Sequence, residues 1–499
     1  MKKLLERTPL FLFLLPIFFI WHGFDENYGN ITVPNVLLLT LAYLGGSALL
    51  YFVFLPVVKN YIRASLLAGY LMGIYCFFGA IQDFLKAVAH PLSRYGFLLS
   101  FFGITIIALT IYLRKTTRDF FRLCLFLNSV FIIYLLIDFT DISWKIISPP
   151  ASKLSVYTPG KDAVKTCADC PRPDIYFLLF DAYMGTSALK ERFGYDNSDL
   201  DSFLVRNGFS IQRHSRSNYF FTPFSMASTL NMQYLDWLAH PNACTLDDYE
   251  RCINMIRDNR LIHILSDQGY DMVNYSVFDL AGNPTRLDES FLPLKTKLIT
   301  ESTLFARMRK DMGWMLTIHK FNFFSGNIVY QTLLNTNKCI DYVKKESSLQ
   351  TARPRFVYAH FYLPHAPFYF DKFGNPKKEA DILQETKEFS LQAYLDYLPY
   401  AKKRVEELIG AVKKNTGGKA VIVFMSDHGF NNDKLKSDHI FSFQNQNAVY
   451  FPDGDYSRFY DGITNVNQFR VILNKLFKQN LPLIKDSTIF LFDKNKPPH

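Results

Sequence analysis

The stretch AVIVFMSDHG (residues 420–429) gives the clearest indication of the fold of the second part of the chain. Its unbroken apolar run is typical of a strand buried on both faces, as in a parallel sheet covered by helices. The run ends at Asp427 and His428, and a second run, DIYFLLF (174–180), ends in the same way at Asp181. Residues that follow parallel strands line one edge of a sheet, where ligands bind, so we predict that these side chains converge there.

Short apolar runs alternate with longer helical stretches from residue 174 onward, which predicts an α/β domain with a mostly parallel central sheet flanked by helices. The remaining predicted strands are at 271–277, 355–361 and 447–451, and the predicted helices are near 187–207, 223–238, 386–414 and 465–477.

The first part of the chain has a different character. The chain has 499 residues, too many for one ordinary core, and 49% of them are hydrophobic. Apolar blocks near the N-terminus are each long enough to cross a bilayer, so we predict a bundle of five transmembrane helices. These spans are about 8–24, 35–57, 63–85, 96–113 and 119–139.

Basic residues in the short connections orient this bundle. Lys and Arg precede the first predicted span and lie between spans two and three and between spans four and five, whereas the loop HGFDENYGN (22–30) has acids and no Lys or Arg. The positive-inside rule therefore predicts a cytoplasmic N-terminus, and an odd number of spans sends the rest of the chain to the outer side. No small-residue cleavage site follows the first span, which disfavours a signal peptide.

Composition changes near residue 140, where a stretch rich in Pro, Ser and Lys reads as a linker. We predict a transmembrane domain at 1–140, a linker at 141–173 and a catalytic domain at 174–499. The formal net charge of +10 suits work beside anionic lipid or phosphate-bearing substrates. The basic residues are scattered, so the sequence gives little support for a nucleic-acid partner.

The seven cysteines indicate structural bridges or inert thiols more than a metal site. Cys167 and Cys170 form a single C-x-x-C, a poor zinc signal without a second pair. Cys244 and Cys252 are near neighbours, and in an oxidising compartment either pair could form a disulfide. The remaining cysteines are Cys76, Cys124 and Cys339.

Thr222 stands directly before Pro223 at the start of a predicted helix. Because proline suits the first helical position, we interpret Thr222 as the N-cap, with its hydroxyl at the positive end of the helix dipole. A phosphoryl group suits that place, and a bound divalent metal can activate a threonine hydroxyl as a nucleophile. Capping alone is the commoner role for such a threonine. Carboxylate oxygens with one imidazole suit several divalent metals, and the sequence does not choose among Mn, Zn, Mg and Ca.

Four sequence features follow one another along the chain: Asp181, T-x-x-S at 222–225, P-H-A-P at 364–367 and S-D-H-G at 426–429. This order resembles the sulfatase branch of the alkaline phosphatase superfamily over about residues 174–455. Five spans before an outward domain resemble the lipoteichoic acid synthases and the lipid A phosphoethanolamine transferases. The resemblance implies an alkaline phosphatase/sulfatase-like fold and a single-metal site, whose matching residues are Asp181, Thr222, Asp427 and His428.

The resemblance also assigns further roles. It makes Thr222 the nucleophile and His365 a catalytic residue that contacts the transferred group. His439 matches a further site histidine, which implies substrate contact and allows a second metal near His365 and His439. Asn218 and Ser225, beside the nucleophile, are candidates for substrate binding, although such residues equally suit a turn or the edge of the core.

The chain departs from the pattern in two places. It has no Cys or Ser in the C/S-x-P-x-R context that sulfatases convert to formylglycine, which argues against sulfate ester hydrolysis by that route. Asp181 stands where the close transferases usually have Glu, which puts the subfamily in doubt.

We therefore expect a metal-dependent enzyme of the bacterial cell envelope. It would transfer a phosphoethanolamine or phosphoglycerol head group, from a zwitterionic or anionic phospholipid donor, to a glycan or lipid acceptor through a phosphothreonine intermediate. The expected location is the cytoplasmic (inner) membrane, as a multi-pass protein with its catalytic domain on the periplasmic or extracellular side. One alternative is a membrane-anchored phosphodiesterase, phosphatase or other sulfatase-like hydrolase with water as acceptor. The other is a non-catalytic glycan-binding membrane protein.

Overall fold

The structure is a computed structural model that describes residues 2–29, 31–148, 164–238, 240–287, 296–308, 329–430 and 439–492, without the side chains of Asn242, Leu246 and His439. Its contacts divide the chain into two compact units. The first comprises Met1–Ala151 with Pro293–Ile328, and the second comprises Ser152–Leu292 with Val329–His499. The predicted domain bounds at 140 and 173 stay predictions.

Helices make up the described part of the first unit. Four of them are long and apolar enough to cross a membrane. The first predicted span forms a helix of only 16 residues with Pro16 inside it, and at 1.5 Å per residue it is about 24 Å long, short of a hydrocarbon core of about 30 Å. The predicted count of five spans is therefore not confirmed. In chain order the helices are α1 (Lys2–Arg7), α2 (Phe11–Glu26), α3 (Val33–Val58), α4 (Tyr61–Val88), α5 (Tyr95–Lys115) and α6 (Phe121–Ile147).

A short stretch from later in the sequence also packs in the first unit. It contains α12 (Lys297–Thr300), whose Ile299 is buried in the same apolar cluster as Phe24. The backbone N–H of Gly79 donates to the Ser302 carbonyl at 2.7 Å. A Cβ at Gly79 would lie 2.5 Å from that oxygen, so this close approach requires glycine. The stretch at 296–308 thus contacts α4 although it lies within the predicted catalytic domain of the sequence.

A six-stranded sheet forms the centre of the described part of the second unit. Its strands are β1 (Ile175–Phe180), β2 (Ser210–Ile211), β3 (Asp271–Tyr275), β4 (Arg355–Phe361), β5 (Val421–Met425) and β6 (Asn447–Tyr450). They lie in the order β2-β6-β5-β1-β4-β3. β1 pairs in parallel with β4 and β5, and β3 in parallel with β4. β6 is antiparallel to β5 and to β2. The sheet is therefore mixed, and the expectation of a mostly parallel sheet is not confirmed.

The five predicted strands are all present, and β1 and β5 are buried at every residue. Alternate side chains enter two apolar clusters, because successive residues of a strand point to opposite faces. Phe177 and Leu179 belong to one cluster, and Tyr176 and Leu178 belong to the other. Among the helices that accompany the sheet are α7 (Thr186–Phe193), α8 (Ser198–Arg206), α9 (Thr222–Asn231), α10 (Leu246–Arg257), α11 (Arg260–Asp267), α13 (Gln331–Ser347), α14 (Glu379–Glu388), α15 (Leu391–Asn415) and α16 (Asn465–Leu476).

The cysteines follow the prediction in part. Cys167 and Cys170 form a disulfide. Cys244 and Cys252 are buried and are not joined to each other by a disulfide, so the second possible bridge is absent from the described residues. Burial raises the pKa of the Cys252 and Cys339 thiols well above the usual value, which makes both of them poor nucleophiles.

Candidate metal centre and nucleophile

Three side chains from distant parts of the sequence meet at one edge of the sheet. Asp181 follows β1, and Asp427 and His428 follow β5, its parallel neighbour. One potential ligand atom from each lies within 4.8 Å of the others. All three residues are buried, with exposed fractions of 1%, 0% and 6%. The predicted convergence of these three residues is therefore present in the fold.

The imidazole of His428 is oriented for ligation. Its Nδ1 lies 2.7 Å from the Gly429 carbonyl oxygen, and because a carbonyl can only accept, Nδ1 must carry the proton. The Nε2 lone pair then faces the site, 3.2 Å from Asp427 Oδ2 and 3.9 Å from Asp181 Oδ1. A hydrogen bond that fixes the tautomer in this way is usual for a metal-bound histidine.

The two carboxylates bring oxygens to this point that nothing in the described chain satisfies. Asp181 Oδ1 and Asp427 Oδ2 are both buried without a hydrogen-bond partner. Burying an unpaired charged oxygen costs several kcal/mol, and buried charges are normally paired or bound to metal. Two oxygens and one imidazole nitrogen are a donor set that suits a divalent cation. The residues present therefore fit a metal ion, and the donor set does not determine which.

Asp427 also holds the backbone beside Asp181. Its Oδ1 accepts a hydrogen bond from the Ala182 N–H at 3.1 Å. Ala182 has a φ of 59°, a left-handed conformation that costs a residue with a side chain about 1 kcal/mol. The Tyr394 hydroxyl donates to the Ala182 carbonyl at 2.9 Å and accepts from the Met184 N–H at 3.1 Å. These bonds hold the strained turn that places Asp181.

His360 is a member of this site that the sequence analysis missed. It lies in β4, is 1% exposed, and its Nε2 is 3.2 Å from Asp181 Oδ2. Burial on its own raises the pKa of Asp181, but neighbouring His365 and His360 outweigh it and lower the pKa to about 2. The available signal was a histidine inside the otherwise apolar core of RFVYAHF (355–361). Asp181 is thus ionised across the physiological pH range.

Thr222 occupies a different helical position from the predicted one. The helix α9 begins at Thr222, Phe221 is its N-cap, and no side chain caps it. The capping interpretation was wrong by one residue. Instead of bonding to the helix, Thr222 Oγ1 lies 3.3 Å from His428 Nε2. The hydroxyl therefore adjoins the same nitrogen as the two unpartnered carboxylate oxygens.

Ser225 makes a structural contact, and its contact with substrate stays a prediction. Its hydroxyl donates to the Asp427 carbonyl at 2.6 Å, and the residue is 1% exposed. Asn465 Nδ2 donates to the same carbonyl at 3.1 Å. One turn of α9 separates Ser225 from Thr222, so this bond joins the helix that carries the hydroxyl to the strand end that carries the acid.

Asn218, the other predicted substrate contact, is fully buried and its amide is used within the protein. Its Nδ2 donates to the Thr464 hydroxyl at 3.0 Å and the Ser487 carbonyl at 2.9 Å, and its Oδ1 accepts from the Val466 N–H at 2.8 Å. The structure thus gives Asn218 a role in joining chain segments and leaves its amide no free group for a substrate.

Close approach of neighbouring backbone atoms explains why the S-D-H-G stretch ends in glycine, at Gly429. Its N–H donates to the Ser442 carbonyl at 2.8 Å. A Cβ there would lie 2.5 Å from the Phe441 carbonyl oxygen and 2.8 Å from that of Gln444. Because both obstacles are backbone atoms, a side chain at this position would displace the segment that covers His428.

Of the two predicted site histidines, the structure describes the side chain of only one. His365 is half-buried, and its Nδ1 lies 2.7 Å from the Ala366 carbonyl oxygen, so Nε2 carries the lone pair as in His428. Its ring centroid lies 5.8 Å from that of Tyr362, which in turn lies 5.7 Å from that of His360. The side chain of His439 lies outside the described part of the structure, so the second metal stays a prediction.

Comparisons with known proteins match part of the chain to one family. Residues 257–481, just under half of the chain, match the Sulfatase family. No curated protein matches the chain. The chain therefore contains a sulfatase-like enzyme domain, as its motifs predicted, and four helices long and apolar enough to span a membrane.

Solved structures match the chain at low identity and with low TM-scores. The C-terminal periplasmic domain of EptC from Escherichia coli, in complex with Zn, is 11% identical, with 67% of this chain and 95% of that chain covered and a TM-score of 0.40. That of the phosphoethanolamine transferase EptC from Campylobacter jejuni is 14% identical, with 66% and 97% covered and a TM-score of 0.39. The phosphonate monoester hydrolase of Agrobacterium radiobacter is 13% identical, with 61% and 74% covered and a TM-score of 0.35.

Proposed function

We propose that the chain is a membrane-anchored phosphotransferase that moves a phospholipid head group, of the phosphoethanolamine or phosphoglycerol type, to a glycan or lipid acceptor through a phosphothreonine at Thr222. One observation carries the proposal. A threonine hydroxyl lies 3.3 Å from an imidazole nitrogen around which two buried carboxylate oxygens have no hydrogen-bond partner among the described residues. A structural threonine would need none of these neighbours.

Asp181, Asp427, His428 and Thr222 would together hold one divalent cation. When bound, such a cation lowers the pKa of a hydroxyl and offsets negative charge on phosphoryl oxygens. The first turn of α9 adds backbone N–H groups without helical partners, which favour an anion beside Thr222. The site therefore combines a nucleophile with two sources of positive charge.

The reaction proceeds in two balanced displacements. Thr222 Oγ1 forms a bond to phosphorus and loses its proton to solvent, while the bond from phosphorus to the glycerol oxygen of the donor breaks. We assign to His365 the delivery of a proton to that leaving oxygen, which departs as diacylglycerol, and its imidazole takes up this proton from solvent beforehand. The oxygen of an acceptor hydroxyl then forms a bond to phosphorus and loses its proton to solvent, while the bond from phosphorus to Thr222 Oγ1 breaks and Thr222 regains a proton from solvent. The carboxylates of Asp181 and Asp427 would supply the negative charge that retains a cation.

In this proposal, the membrane helices hold the site close to its phospholipid donor. A site tethered to a bilayer meets phospholipid at a high effective concentration without a need for tight binding. We place the protein in the bacterial cytoplasmic membrane, with the N-terminus inside and the catalytic domain on the periplasmic or extracellular side. This topology uses α2 as a short first crossing ahead of the four longer helices.

Mass spectrometry of the nucleophile tests the proposal. The full chain, purified in detergent, is incubated with phosphatidylethanolamine or phosphatidylglycerol and Mn, Zn or Mg, and is then quenched in acid. We expect a metal-dependent adduct on the peptide that contains Thr222, whose mass identifies phosphoethanolamine or phosphoglycerol. Thr229→Ala, a threonine in the same helix bonded to the Ser225 carbonyl, should still form the adduct, and Thr222→Ala should not.

Other results separate the alternatives. Release of a head group without any adduct, in the absence of an acceptor, would favour a hydrolase with water as acceptor. No adduct and no release with any of the metals would reject the catalytic proposal and favour a binding protein.

A further inference from the structure

An apolar cavity of about 640 Å³ lies within the first unit, between α5 and the helices α2, α4 and α6. Its lining is almost entirely carbon and includes Leu15, Ile74, Leu109 and Leu127. The hydroxyls along the lining belong to tyrosines, and that of Tyr70 donates to the Thr105 hydroxyl at 2.9 Å. The cavity therefore offers almost nothing that could bind water.

The shape of the cavity follows from the way α5 packs. Leu98 and Leu113 are the buried residues of this helix. They are 15 positions apart, or about 22 Å at the rise of an α-helix. On α4 the lining extends from Leu66 to Ile81, again about 22 Å. The cavity thus runs along the helices for more than the depth of one leaflet, which is about 15 Å or half of the hydrocarbon core.

A cavity of this kind in a membrane bundle is filled by hydrocarbon. Dry apolar space is not occupied by water, and an empty volume deprives its lining of dispersion contacts. The lining residues Tyr112 and Leu123 are partly exposed on the outer surface of the helices, so the cavity is not sealed from its surroundings. In a bilayer those surroundings are acyl chains, and one chain matches the length and the chemistry of the space.

Positive charge collects at one end of the cavity. Arg63 lies one turn before the lining residue Leu66 on the same face of α4. Its Nη2 donates to the Arg118 carbonyl at 3.1 Å, and its Nε is buried without a partner among the described residues. The exposed basic residues near this end are Arg114, Lys115, Arg118 and Arg122. A basic cluster beside a gap between membrane helices suits a phosphate-bearing anionic head group.

We propose that this cavity holds one acyl chain of an anionic glycerophospholipid, with the phosphate of the lipid beside Arg63. The Arg63 end adjoins the start of α6. The bound lipid therefore belongs to the leaflet at the basic end, and it serves as a resident component of the bundle and not as the donor for Thr222. The inference does not depend on the proposed transfer reaction.

Photocrosslinking of the unmodified protein tests the position of the chain. The full chain is placed in nanodiscs of phosphatidylethanolamine with a little phosphatidylglycerol that carries a diazirine in the middle of an acyl chain. We expect adducts on the lining residues Ile74, Leu109 and Leu127 to exceed those on outward-facing Ile104 and Ile107 by about tenfold, as a preference of about 1.4 kcal/mol would give. Equal labelling of the two groups would overturn the proposal.

Matched variants test the same site by lipid retention. Leu109→Trp fills the cavity, whereas Ile107→Trp adds the same group to the lipid-facing side of α5, where Ile107 is 62% exposed. Native mass spectrometry of detergent-purified protein should find one phosphatidylglycerol on the wild type and on Ile107→Trp, and none on Leu109→Trp. Equal retention, or equal loss, by the two tryptophan variants would contradict the proposed site.

The head group is tested separately. Arg63→Gln should remove the preference for phosphatidylglycerol over phosphatidylethanolamine, and Arg94→Gln, at the other end of α5, should keep it. Equal retention of both lipids by the wild type would overturn the assignment of an anionic lipid. Thr222→Ala should leave lipid retention unchanged, which separates this site from the donor site.

Discussion

The two units of this protein differ in how much of their apolar side chains they bury. In β1 every residue is apolar and buried. In α3, which is equally apolar, the buried residues are Val36, Thr40, Ser47 and Val58, whereas Leu38 and Leu41 are 68% and 67% exposed. A sheet in water gains free energy by hiding apolar surface, and a helix in lipid gains none, so its small and polar residues face its neighbours instead. Apolar content alone thus says little about which residues form a core.

Unpartnered buried polar atoms occur in both units, but in the second unit two of them lie around one imidazole nitrogen. In the first unit, called the membrane unit from here on, buried Asn128 accepts from the Phe11 N–H at 2.6 Å and donates to the Leu5 and Thr8 carbonyls at 2.7 and 2.8 Å. In the second unit, called the catalytic unit from here on, Asp181 and Asp427 each keep an oxygen without a partner among the described residues, and both oxygens face His428 Nε2. Folded proteins satisfy nearly all buried polar atoms, so a pair that is left over points to a ligand.

Loss of the nucleophile should have the largest effect. Thr222→Ala should lower head-group transfer by at least about 10³-fold, because no other hydroxyl replaces a nucleophile. Transfer is measured as release of labelled head group from lipid by the detergent-purified chain. Thr222→Ser should retain measurable transfer, and Thr229→Ala should be near wild type. A Thr222→Ala protein with normal turnover would show that the unpartnered oxygens serve some other purpose.

A side chain at Gly429 should be the next most harmful change. Gly429→Ala forces a Cβ against the Phe441 carbonyl, and overpacking against backbone should destabilise the catalytic unit by about 3 kcal/mol. Gly410→Ala is the control, since a Cβ there meets nothing within 4 Å and alanine in a helix should stabilise by about 0.5–1 kcal/mol. Denaturant unfolding measures both. Similar values for the two variants would mean that residues 441–444 are free to move.

Removal of metal should destabilise only a protein that still has the ligands. Dialysis against a chelator should cost the wild type about 2–3 kcal/mol, as expected for loss of a ligand held at about 100 times its Kd. Asp427→Asn should show little response, because one of the two unpartnered charged oxygens is gone. Thermal unfolding with and without added Mn, Zn or Mg gives the comparison. An unchanged wild-type melting temperature in every metal would argue against the centre.

The smallest predicted difference in stability is between substitutions of two buried asparagines, one in each unit. It compares a unit that folds in water with one that folds in lipid. Asn218→Leu in the catalytic unit should cost about 3 kcal/mol, because it leaves several buried groups unsatisfied. Asn128→Leu in the membrane unit should cost only about 1–2 kcal/mol, because the unfolded chain in a bilayer also finds partners. Thermal unfolding in one detergent ranks the two. The reverse order would show that a lipid environment does not lower the free-energy cost of leaving buried polar groups unsatisfied.

Sequence patterns predicted the strand-end acids well because the signal is local. A buried strand followed by an acid or histidine is visible in AVIVFMSDHG itself, and parallel neighbours bring such ends together. The same reasoning missed His360, since a histidine in the interior of a strand has no local feature that marks it as a neighbour of Asp181. It also gave no sign of the structural contacts of Ser225 and Asn218, whose partners are the Asp427 carbonyl and the distant Val466 N–H.

Hydrophobic length and periodicity are properties of the chain, so the four long apolar helices, the five strands and the order of the motifs could be predicted from the residues alone. The mixed sheet, the helical position of Thr222 and the packing of Ile299 against the membrane helices could be seen only in the folded chain. The same is true of which buried oxygens have partners. Hydrogen bonding across hundreds of residues depends on where the backbone returns in space, and no local pattern records that return.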